Sequence, residues 1–236
     1  CLLDVLKHGV EFDNGVSLTL MYRKPATTFN QKAEALYQQN VLSVMEEVWH
    51  KEGERIDLVI FLNGIAIFTF ELKCNTSGQN YEDAIRQYKF ERDYKTRLLK
   101  FKAGCLAHFA MDLNEVYMCT NLKGKSSFFL PFNKGCGVGI HSGKGNPHNE
   151  NGINVSYMWE DILKKDTVLY LIDKIIFLQK ETKKDPDTGK RVTKETLIFP
   201  RYHQFNAVRK LVADVVEHHS EKNYLIEHSA GSGKSN

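Results

Sequence analysis

The chain has 236 residues, enough for one large domain or for one domain and part of another. Hydrophobic residues make up 42% and charged residues 26%, the balance of a globular protein; no apolar run approaches the roughly 20 residues of a membrane span, and no secretory leader is legible at the start. The formal net charge of +3 is compatible with nucleic acid but does not by itself point to it. Five cysteines, an odd number with no Cys-x-x-Cys pair, argue against a disulfide framework or a zinc site and for a reducing cytoplasm. The first residue is Cys rather than Met, and the chain ends on Gly-Ser-Gly-Lys-Ser-Asn. We therefore expect a piece of a longer protein.

In chain order, residues 30 to 52 read as partly helical, although Tyr37 to Val44 could equally form a strand. Residues 55 to 62 are a clear strand, and Asn63-Gly64 is a hairpin signal. Residues 65 to 73 form the return strand. Both strands are almost wholly apolar, so we expect the pair to be covered on both faces. Residues 81 to 102 read as a helix with Asp83, Arg86, Lys89, Arg92, Lys95 and Lys100 on its polar side. Short strands are expected at 104 to 111 and 115 to 120. The glycine-rich stretch 135 to 152 reads as a surface loop. Helical patterning returns at 159 to 179, a polar linker spans 183 to 191, and a new unit begins near Phe199-Pro200.

A charged triplet leaves the apolar hairpin: Asp57, then thirteen residues, then Glu71-Leu72-Lys73. Two carboxylates and an ammonium suit phosphodiester cleavage. The carboxylates would hold Mg²⁺, a hard cation that prefers oxygen ligands. The lysine would orient the attacking water or offset charge developing on the phosphate. Side chains alternate along a strand. If Asn63-Gly64 closed a regular two-residue hairpin, Asp57 would lie opposite Phe70, and Glu71 and Lys73 would point to the other face. The nuclease reading therefore requires an odd-length loop or a β-bulge between Asp57 and Glu71. The bland alternative is that all three are ordinary strand-end and edge charges, and spacing alone does not decide between the two. On the following helix Gln87, with Tyr88 and Lys89, could reach a DNA phosphate; a solvated helix face is the alternative.

His228-Ser-Ala-Gly-Ser-Gly-Lys-Ser235 fits the phosphate-loop pattern except at its first position and follows the short apolar run Tyr224-Leu-Ile. Backbone amides around Gly231 and Gly233 would cradle phosphates, Lys234 would contact the β/γ-phosphates and Ser235 would ligate Mg²⁺. Upstream, Gln204 sits where superfamily 2 motors place an adenine-reading glutamine, with Arg201 nearby. The acidic Mg²⁺ motif and the arginine finger of such motors are not in these residues, so ATP turnover is expected only of an intact subunit.

Taken together, these segments resemble the restriction (R) subunit of type I restriction-modification enzymes. They are Asp57-Leu-Val-Ile-Phe-Leu-Asn-Gly, Phe70-Glu-Leu-Lys, Glu82-Asp-Ala-Ile-Arg-Gln-Tyr-Lys, Phe129-Leu-Pro-Phe-Asn, Gly145-Asn-Pro, Phe199-Pro-Arg-Tyr-His-Gln and the phosphate loop, in the family's order. The resemblance implies an α/β fold with a restriction-endonuclease-like mixed central sheet flanked by helices. A helical connector and a truncated P-loop motor segment would follow. The expected divisions are a nuclease domain at 1–160, a connector at 161–198 and the start of the motor at 199–236. It implies metal ligands at Asp57 and Glu71 and a catalytic lysine at Lys73. A Gln-x-x-x-Tyr motif found in some members is not matched at Gln87, which is followed four residues later by Glu91. The family's early acidic residue is not placed by the sequence, Glu46 and Glu47 being possibilities. The implied activity is that of a type I site-specific deoxyribonuclease using Mg²⁺, with ATP driving the intact subunit. The implied partners are double-stranded DNA and the modification and specificity subunits, with no membrane, in the cytoplasm. Two other readings stay open: a motor whose Asp57-Glu71-Lys73 cluster is structural, and a non-enzymatic docking module.

Overall fold

The computed structural model describes residues 1–27, 29–136, 144–184, 189–219 and 222–227. Its centre is a six-stranded mixed sheet in the order β3 (Leu42–Lys51), β4 (Glu54–Leu62), β5 (Ile65–Leu72), β6 (Ala107–Met111), β7 (Val116–Cys119) and β8 (Leu130–Pro131). All neighbours are antiparallel except β5 and β6, which run parallel. A parallel pair needs a crossover, and α3 (Tyr81–Phe90) lies within it. Before the sheet come α1 (Leu2–His8), the short pair β1 (Val10–Glu11) and β2 (Ser17–Leu18), and α2 (Gln31–Gln38). After it come wide helical turns at Met158–Ile162 and Leu171–Ile175 around α4 (Lys165–Tyr170). The antiparallel hairpin β9 (Phe177–Lys184) and β10 (Arg191–Ile198) and the helix α5 (Tyr202–His218) follow.

The expected two-sided cover is found. One face of the sheet packs Ile60, Phe68, Phe70, Phe109 and Phe132 against Leu3, Leu6, Tyr157, Ile172, Phe199 and Phe205. Phe70 stacks on Phe109 with ring centroids 4.8 Å apart, and Phe199 meets Phe68, Phe109 and Phe132 edge-on. The other face packs Val59 and Ala110 against Ala84 and Tyr88 of α3 and Leu99 beyond it.

Four sequence expectations need correction. Residues 30 to 52 divide into both structures: the helix ends at Gln38 and the strand begins at Leu42. The helix expected over 81 to 102 stops at Phe90, where Glu91 caps it. Helical patterning expected to Gln179 ends at Ile175, because Phe177 begins β9. The polar linker and much of the expected helical connector form the β9–β10 hairpin. Its charged and threonine residues suit a two-stranded ribbon exposed to water over most of its length, with Leu178 and Leu197 at its base packed against the core. No helix among the described residues is long and apolar enough to cross a membrane.

Candidate nuclease centre

The hairpin that carries the triplet closes on Asn63-Gly64. Both residues have positive φ, 50° and 81°, the geometry of the two-residue turn that Asn-Gly favours. The Asn63 side chain fastens that turn by accepting from Val41 N at 2.7 Å and donating to Leu20 O at 2.8 Å. From the turn the register runs Leu62 opposite Ile65 and Phe61 opposite Ala66. It then shifts, so that Ile60 lies opposite Phe68, Val59 opposite Thr69 and Leu58 opposite Phe70. Ile67 is the extra residue, and it joins Phe68 in the same hydrophobic cluster. This is the bulge that the nuclease reading requires. One step further along the register, Asp57 faces Glu71 rather than Phe70.

Three observations place the triplet in one neighbourhood. The Asp57 carboxylate accepts from the backbone N–H of Leu72 at 2.7 Å, tying it to the strand beside Glu71. Glu71 feels the negative charge of Asp57 and the positive charge of Lys73. Lys73 extends β5 by donating its backbone N–H to Met111 O at 2.9 Å, and it shares the face of Thr69 and Glu71 by alternation.

Glu71 is fully buried, with 0% exposure. A carboxylate there needs a partner. The partner is Arg92, whose Nε donates to Oε1 at 2.7 Å and whose Nη2 donates to Oε2 at 3.3 Å. Burial, helped by the charge of Asp57, nevertheless pushes the Glu71 carboxyl up to about 8, against the pull of Arg92 and Lys73. Sequence reasoning assigned Arg92 to a solvated helix face. The helix ends before it, and the turn that follows aims it at the sheet. The only available signal was that a glutamate on an apolar strand needs a cation, with Arg86, Lys89 and Arg92 all within reach in sequence.

Behind Glu71 on the same strand face lies a buried polar chain. The Thr69 hydroxyl meets the Tyr88 hydroxyl at 2.8 Å and the Nδ1 of His108 at 2.8 Å. Burial pulls the His108 imidazole down to about 3, so the ring is neutral, and it raises the Tyr88 phenol well above its usual value. Tyr88 therefore presents no surface to a nucleic acid, contrary to the sequence expectation. Gln87 and Lys89 are half-buried on the same helix, and the buried Gln87 Oε1 has no hydrogen-bond partner among the described residues. Glu46 and Glu47 lie on the exposed strand β3, and Glu47 is engaged by Arg55 at 2.8 Å.

Two opposed carboxylates and an ammonium fit a hard divalent cation that keeps most of its waters, as Mg²⁺ does. No group of three or more His, Cys, Asp or Glu side chains placed to hold an ion occurs among the described residues.

Of the expected nucleotide-binding residues, Gln204 accepts from the backbone N–H of Arg201 at 2.9 Å, so both belong to the N-terminal cap of α5. Gly231, Gly233, Lys234 and Ser235 lie outside the described residues.

Residues 15–127 match the family described as Type I restriction enzyme R protein N terminus, a span that contains the whole triplet, Arg92 and α3. A protein of Methanocaldococcus jannaschii, provisionally described as a type I restriction enzyme MjaVIIIP endonuclease subunit, is 26% identical over 253 aligned residues. That alignment covers 99% of this chain and 21% of the relative, so the chain spans about a fifth of the relative's length.

Proposed function

We propose that this chain, whose residues 15–127 match the type I restriction enzyme R protein N terminus, holds the DNA-cleaving centre of such a subunit. Asp57, Glu71 and Lys73 carry the chemistry. The observation behind this reading is the bulge at Ile67, which turns Asp57 toward Glu71 and Lys73. A regular two-residue hairpin would have separated them.

Asp57 and Glu71 would hold Mg²⁺, and the bound ion would polarise the scissile phosphate and lower the pKa of the attacking water. Asp57 is braced for this by the Leu72 N–H, which fixes one carboxylate oxygen and leaves the other available. Lys73 offsets the charge that builds on the phosphate oxygens. The Thr69-Tyr88-His108 chain holds the strand face rigid behind Glu71 and keeps water from its rear. Lys89 and Gln87 contact the DNA backbone, which sets position without reading sequence. Sequence recognition then belongs to a specificity subunit, and the complex includes a modification subunit. In the intact subunit the phosphate loop at 228–235 binds ATP, with Arg201 and Gln204 at the adenine, and drives DNA past the nuclease.

One observation favours a second reading. Arg92 takes up both Glu71 oxygens, as expected of a purely structural ion pair in a motor or docking subunit. Asp57→Ala in the assembled complex separates the two. The nuclease reading expects cleavage to disappear while ATP-driven translocation continues at the normal rate. Full cleavage by that variant would establish the structural reading instead.

A further inference from the structure

The pairing of Arg92 with Glu71 implies more than a cleavage site. Glu71 has no exposed surface, and the Arg92 side chain above it is only 10% exposed. Both carboxylate oxygens are held by the guanidinium. The guanidinium engages one lone pair on each oxygen, and with both side chains buried a divalent ion that reaches Glu71 competes with Arg92 for them. The charges lead to the same place. Glu71 already lies in the field of Arg92 and Lys73, so a divalent ion added beside an unmoved Arg92 meets two fixed cations in a poorly hydrated site, which is costly.

The backbone at Arg92 is well anchored. The next residue, Asp93, donates its N–H to Glu54 at 2.8 Å and pairs through its carboxylate with Lys51 at 3.2 Å. Lys51 in turn reaches Glu54 at 3.0 Å, and the His50 Nδ1 meets the Thr96 hydroxyl at 3.0 Å. The turn after α3 is thus moored to the β3–β4 tip. Any rearrangement at Arg92 is confined to its long side chain.

We infer that Arg92 is a placeholder cation: it occupies Glu71 in the metal-free protein and yields one or both carboxylate oxygens when the metal enters. The inference rests on Asp57 and Glu71 being the metal ligands. Arg92 is a positioning residue in this role, acting through Glu71. It keeps the buried carboxylate in place between metal-bound states and sets a threshold that the ion must overcome.

The test is a Mn²⁺ titration of the full chain without DNA, followed by electron paramagnetic resonance of the free ion. Wild type, Arg92→Gln, Arg92→Lys and Glu71→Gln are compared, with near-ultraviolet circular dichroism as the check on folding. Arg92→Gln removes the competitor and should tighten Mn²⁺ binding by about tenfold, or roughly 1.4 kcal/mol. Arg92→Lys keeps a charge but loses the fork, and should fall between the two. A merely structural arginine gives the opposite sign, since its loss disorders the site. Wild-type binding that Glu71→Gln abolishes and that Arg92→Gln and Arg92→Lys leave unchanged or weaken overturns the placeholder alone. Binding that Glu71→Gln leaves intact overturns the metal-site reading and the placeholder with it, as does failure of every folded variant to bind. Should Arg92→Gln lose its tertiary signal, Arg92→Lys decides: tighter binding supports the placeholder and weaker binding overturns it.

Discussion

Two arginine–carboxylate forks in this chain have the same chemistry in different surroundings. Arg209 grips Asp161 with bonds of 2.6 and 2.7 Å, and both side chains are about one-third exposed, at 31% and 32%. Arg92 grips Glu71 with bonds of 2.7 and 3.3 Å, at 10% and 0% exposure. The partly exposed fork joins α5 to the helical turn at Met158–Ile162 and keeps much of its hydration. The buried fork is less symmetric, sits between a sheet face and a helix, and has a glutamate that burial drives toward protonation. Stability does not account for the buried one, because a well-packed apolar pair of similar volume generally does as well. A charge kept at that cost, facing a second carboxylate across a bulged hairpin, fits a site that handles charge.

The largest expected effect comes from breaking the buried fork alone. Arg92→Ala leaves the buried Glu71 carboxyl without its hydrogen-bond partner and should lower stability by about 1–3 kcal/mol, measured by urea denaturation at pH 7. The same change at Arg209 should cost at most about 1 kcal/mol, since exposed pairs are screened by solvent. Equal losses would erase the distinction between the two forks. Replacing both members of the buried pair, Glu71→Leu with Arg92→Met, should recover about 1–4 kcal/mol relative to Arg92→Ala while leaving no cleavage activity. Restored stability with retained cleavage would make the pair dispensable and the proposed function wrong.

The pH dependence sharpens the same contrast. The folded-state value of Glu71 is raised to about 8 from an ordinary value near 4.5. Its contribution to stability is therefore full below the unfolded value and is lost as pH rises through about 8. Denaturation of wild type against Glu71→Gln between pH 5 and 9 should show a downward slope in wild type that the variant lacks. Asp161→Asn should leave the wild-type slope in place. The smallest effect belongs to the turn. Gly64→Ala forces a β-carbon onto a residue with φ of 81° and should destabilise by about 1 kcal/mol, measured by thermal unfolding with cleavage retained.

The legible and illegible parts of the sequence divide along physical lines. The β4–β5 hairpin was readable because Asn-Gly dictates its turn and because the run of β-branched and aromatic residues marks strands covered on both faces. The bulge followed as a requirement of the chemistry, since period-two alternation left only two ways to bring Asp57 and Glu71 together. Its location at Ile67 was not readable: Ile65, Ile67 and Phe68 all belong equally well in a core. The end of α3 was missed because polar residues continue beyond Phe90 at helical spacing, and with it the turn that aims Arg92 inward. Tyr88 was grouped with its neighbours Gln87 and Lys89 as a DNA contact, but its place on α3 turns it into the core, where its hydroxyl is satisfied by Thr69. The β9–β10 ribbon escaped notice because its strands are mostly charged and threonine, with apolar residues such as Leu178 and Leu197 only at its base, and so resemble a linker.

In our proposal the bulged hairpin brings Asp57 and Glu71 together to hold a divalent metal. Crystals grown with Mn²⁺, at a metal concentration that supports cleavage by the assembled complex, locate the ion by its anomalous scattering. A peak is expected between the Asp57 and Glu71 carboxylates, with Arg92 withdrawn from at least one Glu71 oxygen. Mn²⁺ bound elsewhere, with Arg92 still forked onto Glu71, would contradict it.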